Sequence, residues 1–229
     1  MKSPLPKVLQ PLKDKPLIHF VVEALQAAGV TDIVTVVGYK GDLVRESLLD
    51  NVRYAWQHEQ LGTGHAVMQA EESLIDFKGK LVIACGDVPL ISSVTFKKMI
   101  GLLDDEEAKA VVLTMDVQNP TGYGRILKDS SGSFLKIVEE KDADEDVRKI
   151  TEVNTGTYVF DKEFLFAGLK KIDTNNAQGE YYLPDALGHV LTSGFTVKTL
   201  LLDDPLEGTG VNTREDLKEL EKELIRRQK

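Results

Sequence analysis

One cysteine, one tryptophan and four histidines are all that this chain of 229 residues brings to several common kinds of chemistry. With Cys85 alone no intramolecular disulfide can form, and the histidines show neither the HExxH spacing nor a pairing with cysteines that a zinc site needs. That usage points to a reducing compartment, which we read as the cytoplasm. Cations are short too. Lys and Arg number 28 against 37 Asp and Glu, a formal net charge of -9, which disfavours a nucleic-acid binder that neutralises phosphate along its surface. No apolar run approaches the roughly 20 residues that span a bilayer, so no membrane partner is expected. The opening MKSPLPKVLQPLKDKP lacks the apolar core of a signal peptide. Internal repeats, low-complexity stretches and long linkers are also missing.

What is present is an alternation. With 42% hydrophobic residues the chain can bury a large core, as one sizeable domain or two small ones. Pro16 suits the first turn of a helix whose apolar face is Ile18, Val21, Val22 and Leu25, with Gly29 as its stop. The β-branched run DIVTVVG then predicts a buried strand, followed by a helix over Asp42 to Leu49 and the strand VRYAWQ. A helix over Thr63 to Leu74, the strand KLVIACGD, a helix over Ser92 to Leu103 and the strand AKAVVLTMDV continue the succession. Apolar strands separated by helices indicate a mostly parallel sheet covered on both faces. GRILKD, the turn DSSGS and FLKIVEE read as an inserted β-hairpin. Beyond it the expectations are a strand at EVNTGTYVF, helices over Lys162 to Leu169 and Glu180 to Leu191, the strand FTVKTLLLD, and a charged helix over 213–229 with Asn212 as its N-cap.

In such sheets ligands bind beyond the carboxyl ends of the strands. Asp87, directly after LVIACG, stands where a carboxylate can meet a hard cation, and equally where aspartates serve turns. In QLGTGHA, Gly62 and Gly64 flank Thr63 before a helix, which either leaves backbone amides open to an anion or a base edge, or makes a tight connection with Thr63 as N-cap. NPTGYGRI supplies a second small-residue turn, and Glu139 and Asn154 can offer oxygen or amide groups to sugar hydroxyls. Lys7 and Arg125 are the cations to place near phosphates. The acidic stretch EEKDADED reads as a solvated face.

Taken in order, LPKVL, QHEQLGTGHAV, GDVPLI, NPTGYGRI, IVEEKDA, EVNTGTYVF, NNAQGEYYLPD and GVN form a far more specific signal than any one of them. Together they resemble the N-acetylglucosamine-1-phosphate uridyltransferases, specifically the pyrophosphorylase half of the bifunctional enzymes whose other half is an acetyltransferase. The resemblance implies a three-layer α/β/α nucleotide-diphospho-sugar transferase fold, Rossmann-like, extending over residues 1–229. It also implies that UTP and N-acetylglucosamine-1-phosphate are joined with the help of Mg2+, releasing pyrophosphate and giving a product used in cell-wall synthesis. By the same resemblance Gln57, Gly62 and Thr63 hold the uracil, and Gly124, Glu139 and Asn154 line the sugar pocket. Cys85 and Gly86 contact substrate beside Asp87, Asp87 and Asn212 hold the metal, Lys7 lies near the phosphates, and Glu180 and Tyr182 shape the sugar side.

Members of that family begin with an apolar strand and a loop of the form LAAGxGTRM, and Met1 matches the last position of that motif. The expectation is a longer native chain, and, without that strand, unpaired backbone groups and a gap in the core. No hexapeptide repeat follows, so acetyl transfer is not expected, and a monomer or weak dimer is. Two rival readings remain beside this one. They are a related nucleotidyltransferase using another sugar or nucleotide, and a catalytically impaired protein that binds sugar nucleotides.

Overall fold

The computed structural model describes residues 4–105 and 107–227, the side chain of Arg227 excepted, so the reading of Met1 lies outside the described residues. A small hairpin of β1 (Pro11–Leu12) and β2 (Lys15–Pro16) leads into α1 (Leu17–Ala27), which buries the expected face of Ile18, Val21, Val22 and Leu25. β3 (Val34–Val37), α2 (Gly41–Leu48), β4 (Arg53–Trp56), α3 (Thr63–Met68), β5 (Lys80–Ile83), α4 (Ser93–Leu102) and β6 (Ala108–Asp116) follow. The hairpin of β7 (Arg125–Lys128) and β8 (Phe134–Val138) comes next, then β9 (Glu152–Asp161), α5 (Lys162–Leu169), α6 (Ala186–Thr192), β10 (Thr196–Leu201) and α7 (Arg214–Arg227).

β6 shows why its sequence reads as an unbroken apolar run. Ala110 and Val112 face Leu165, Phe166 and Leu187 of α5 and α6, whereas Val111 and Leu113 face Phe96 and Met99 of α4. Helices therefore cover both faces, and alternation along the strand sends successive side chains into two separate cores. The main sheet is mixed. β9 lies antiparallel between β5 and β6, β10 runs parallel to β6, and the β7–β8 hairpin joins at β9. It follows that β5, β6 and β10 share one direction and β9 opposes them.

β3 and β4 make a separate parallel ladder. Among the described residues β3 pairs with β4 and β5 pairs with β9, with no ladder joining β3 to β5, and a cavity of about 830 Å³ is lined by both.

Three sequence expectations are corrected. The helix expected over Thr63 to Leu74 is α3 followed by a separate single turn at Glu72–Leu74. Residues 180–182 are not helical, because Tyr181 pairs with the 61–64 loop through Tyr181 N–H to Leu61 O (2.8 Å) and Gly64 N–H to Tyr181 O (2.7 Å). Asn212 does not cap α7. Thr213 Oγ1 accepts from the Asp216 amide (3.0 Å) while the Asp216 carboxylate accepts from the amides of Asn212 and Thr213, a reciprocal capping box. α7 then packs back, burying Leu220 against Leu12, Leu17 and Val211.

Candidate active site

Asp87 sits just past the carboxyl end of β5. Its backbone carbonyl accepts from Val211 N–H (2.9 Å), which draws the neighbouring Asn212 alongside. The Lys7 ammonium ion-pairs with the Asp87 carboxylate and donates to Asn212 Oδ1 at 2.9 Å. Three residues far apart in sequence thus place one cation between a carboxylate and an amide oxygen, at a mouth where the Lys7 side chain is 40% exposed and that of Asp87 19%. Two hard oxygens converging on one cation are a fitting donor pair for a divalent ion that takes its remaining ligands from water and phosphate. Among the described residues no group of three or more His, Cys, Asp or Glu could hold a metal on its own.

Beside Asp87, burial pushes the Cys85 thiol up to about 12, with Asp87 adding to the shift and Lys7 opposing it. Protonated at neutral pH, it is no nucleophile; its Sγ lies 3.5 Å from the Gly156 carbonyl. A Cβ on Gly86 would stand 3.1 Å from Val8 Cγ1, a contact tighter than ordinary packing.

The residues expected to line the sugar pocket also come together. Asn154 N–H donates to Gly124 O (2.8 Å), and a Cβ on Gly124 would lie 2.8 Å from Ile137 Cγ2 and 3.1 Å from Glu139 Oε1. The Asn154 amide is fixed at both ends, donating to Tyr158 Oη (2.7 Å) and accepting from Gly156 N–H (3.0 Å). Gly156 itself, at φ +77, lies where the β6–β9 register shifts. A bulge of this kind re-aims a side chain out of the ladder. The half-buried Glu139 carboxylate accepts no hydrogen bond from the described residues, and burial together with Asp185, Asp142 and Glu180 pushes its pKa up against the opposing pull of Arg125.

Arg125 itself is no phosphate ligand, contrary to expectation. It is 1% exposed, its guanidinium locked to Glu140 (2.6 Å) and to the Tyr123 carbonyl. This clasp ties the 122–124 turn to the strand end that carries Glu139.

Gln57, Gly62 and Thr63 form a third group. Gln57 Nε2 donates to Gly62 O (3.1 Å) and lies 3.1 Å from His65 Nδ1. Gly62 holds φ +110, and a Cβ there would meet Tyr181 O at 2.6 Å. The Thr63 hydroxyl accepts from Leu183 N–H (3.0 Å) and does not cap α3, whose cap position is Gly62. The amide of Gly64 is likewise engaged, so this loop is a fastening between two segments at least as much as an open row of donors.

Lys7, Thr63, Cys85, Gly86, Glu139 and Asn154 line one continuous cavity. Asp87, Gly124, Gln57, Gly62 and Asn212 stand behind or beside them through the contacts above. Two supports escaped sequence reasoning. Tyr158, fully buried, holds the Asn154 amide. Asp142, in the stretch read as a solvated face, accepts from Ala177 N–H (2.8 Å) and Tyr182 Oη (3.2 Å) and so pins the 176–182 segment.

Comparison with known proteins adds the following. The family described as nucleotidyl transferase matches residues 2–203. The "Bifunctional protein GlmU" of Oceanobacillus iheyensis is 47% identical, and that of Halalkalibacterium halodurans 46% identical, each over 99% of this chain and 50% of the relative. The chain spans about half the length of the curated relatives it matches. A crystal structure of UDP-glucose pyrophosphorylase complexed with UDP-glucose superposes with a TM-score of 0.75 at 20% identity, covering 97% of this chain and 91% of that one, which shows the fold.

Because folding raises the Glu139 pKa, the folded protein holds more protons than the unfolded chain between the ordinary carboxylate range and the raised value. The ionised side chain therefore costs stability above that window and nothing below the ordinary range. Glu139→Gln is expected to raise the urea midpoint at pH 7, with the gain vanishing near about pH 3, where the carboxyl is protonated in both states. Urea melts of both proteins across that range check it.

Proposed function

Since the chain belongs to the nucleotidyl transferase family, we propose that it transfers the uridylyl group of UTP to N-acetylglucosamine-1-phosphate, giving UDP-N-acetylglucosamine and pyrophosphate. The observation that carries this reading is the meeting of two groups at the Cys85–Gly156 contact. Lys7, Asp87 and Asn212 lie on one side, and Gly124, Glu139 and Asn154 on the other. A sugar phosphate needs such a site, with acceptors and donors for hydroxyls and an amide at one end and cationic neutralisation at the other. The family resemblance of the ordered motifs and the relatives' similarity support the same substrates.

The reaction on this reading is in-line attack by a phosphate oxygen of the sugar phosphate on the α-phosphorus of UTP, with pyrophosphate leaving; no protein nucleophile is used. The half-buried Cys85, its thiol pushed up to about 12, agrees with that. Asn154, fixed by Tyr158 and Gly156, and Glu139, left with open lone pairs, orient the sugar, and Gln57 with the 62–63 backbone holds the base. Alignment of two anions supplies most of the acceleration. Asp87 and Asn212 would hold Mg2+, which when bound neutralises charge on the phosphoryl oxygens. Lys7 then leaves its place between them for the phosphates. We place the protein in the cytoplasm.

Pyrophosphate release from UTP, N-acetylglucosamine-1-phosphate and magnesium tests the reading. Release that Asp87→Ala lowers by about 100-fold or more is expected, in line with loss of a charge-stabilising group. Release with glucose-1-phosphate or dTTP in preference would favour another member of the family, and binding without release would favour an impaired sugar-nucleotide binder. Lys7→Met separates the two roles of that lysine. It should weaken turnover yet bind Mn2+ roughly fivefold tighter in the absence of substrates, since a cation competing for the same oxygens is gone. Weaker Mn2+ binding, read by spin-resonance titration, would contradict the assignment.

A further inference from the structure

His65, the third residue of α3, does not line the cavity, yet its ring is held at both nitrogens and on one face. Nδ1 lies 3.1 Å from Gln57 Nε2, and Nε2 lies 3.2 Å from Gln69 Nε2. The ring also stacks on that of Tyr181, with 6.3 Å between centroids. The Tyr181 backbone is in turn bound to Leu61 and Gly64, which fixes that wall.

Hydrogen-bond chemistry decides how these groups face one another. A carbonyl oxygen only accepts, so the end of the Gln57 amide that meets Gly62 O at 3.1 Å is its NH2. The same NH2 meets His65 Nδ1, which must then accept, leaving the ring proton on Nε2. A proton on Nδ1 would set N–H against N–H. Gln69 cannot donate to Nε2 as well. It stands four residues further along the chain, both of its contacts are to His65, and it can turn its oxygen to the Nε2 proton without moving another segment. Gln57 has no such freedom, because Gly62 O and Nδ1 take both hydrogens of its amide.

What Gln57 can offer a ligand is therefore Oε1 alone, an atom that accepts nothing from the described residues. An acceptor in that place fits one class of pyrimidine. Uracil and thymine carry an N–H at N3, whereas N3 of cytosine is itself an acceptor and an amino group replaces the O4 oxygen. We propose that His65 is a positioning residue for base selection, accepting from Gln57 Nε2 so that Oε1 is presented to N3–H of uracil and refuses cytosine. The proposal rests on the base contact of Gln57 in the uridylyl-transfer reading above. Acceptor facing acceptor leaves two polar groups unpaired, and a site built around a hydrogen bond rejects a ligand that lacks it far more strongly than an apolar pocket does. A histidine that served only to pack Tyr181 would affect every nucleotide alike.

UTP and CTP, each with magnesium, are titrated calorimetrically into the unaltered protein, His65→Phe and His65→Asn. Phenylalanine keeps a ring against Tyr181 and loses the acceptor; asparagine keeps an acceptor, its Oδ1 standing near the place of Nδ1. The unaltered protein is expected to bind UTP about 100-fold tighter than CTP. His65→Phe should lower that ratio about tenfold, the size of one hydrogen bond, and His65→Asn should restore most of it. The imidazole nitrogen resonances of the unaltered protein should show a bare Nδ1 and a protonated Nε2. Equal binding of UTP and CTP by the unaltered protein, equal losses for both in His65→Phe, a ratio that His65→Asn leaves unrestored, or a proton found on Nδ1 overturns the proposal. Transfer is read separately. A protein that discriminates between the two nucleotides through His65 but releases no pyrophosphate overturns the uridylyl-transfer reading and upholds the role of His65, whereas release from UTP and CTP alike overturns the role of His65 alone.

Discussion

The bulge at Gly156 is the constraint on which the rest of the site depends. β9 is paired on both sides, to β5 and to β6, and its first residues reach β7. Tyr158 lies opposite Val112 and Asn154 opposite Thr114, so β9 spends four residues where β6 spends two. The excess is absorbed at 155–157. There Thr155 Oγ1 donates to Leu113 O (2.8 Å), Asn154 Oδ1 accepts from Gly156 N–H, and the positive φ of Gly156 reverses the local course. A side chain at Gly156 would be strained and would press its Cβ to 3.0 Å from Cys85 Sγ. The bulge thereby holds the Asn154 side chain between Tyr158 and Gly156 and seats the backbone against Cys85, two residues before Asp87.

Charge in this molecule is arranged locally. The net charge of -9 is unfavourable to anionic ligands, yet Lys7 stands beside Asp87 at the cleft's mouth, while Asp185, Asp142 and Glu180 gather around Glu139. Glu139 illustrates the compromise. An uncharged side chain would suit its half-buried place better, but a carboxylate keeps lone pairs open, as the proposed sugar contact would need. Arg125 and Glu140 bear opposite charges for the opposite purpose. Locked to each other, they fix the geometry of a turn and offer nothing to a ligand.

Most of the secondary structure was legible because it rests on local patterns. The apolar stripe of α1, the β-branched runs of β3 and β6 and the DSSGS turn each carry their own reason to fold. The candidate site was legible only as an ordered set of motifs, since each glycine or acid taken singly has an ordinary explanation. What escaped depends on partners distant in sequence. Arg125 looked like a phosphate ligand until Glu140, just past the far strand of the hairpin, claimed it. Asp142 looked solvated because its partners are 35 and 40 residues away. The run 180–182 has helical composition, but its backbone is taken by Leu61 and Gly64.

The central claim is that one bulged strand joins a nucleotide end and a sugar end into a single site, and amide shifts on separate ligand addition test it most directly. N-acetylglucosamine-1-phosphate is predicted to move the amides of Gly124, Glu139 and residues 154–156 and to leave 57–64 in place, while UTP with magnesium moves 57–64 and the 85–87 segment. The same set moving with both ligands, or shifts that bypass residues 154–156 altogether, would contradict it.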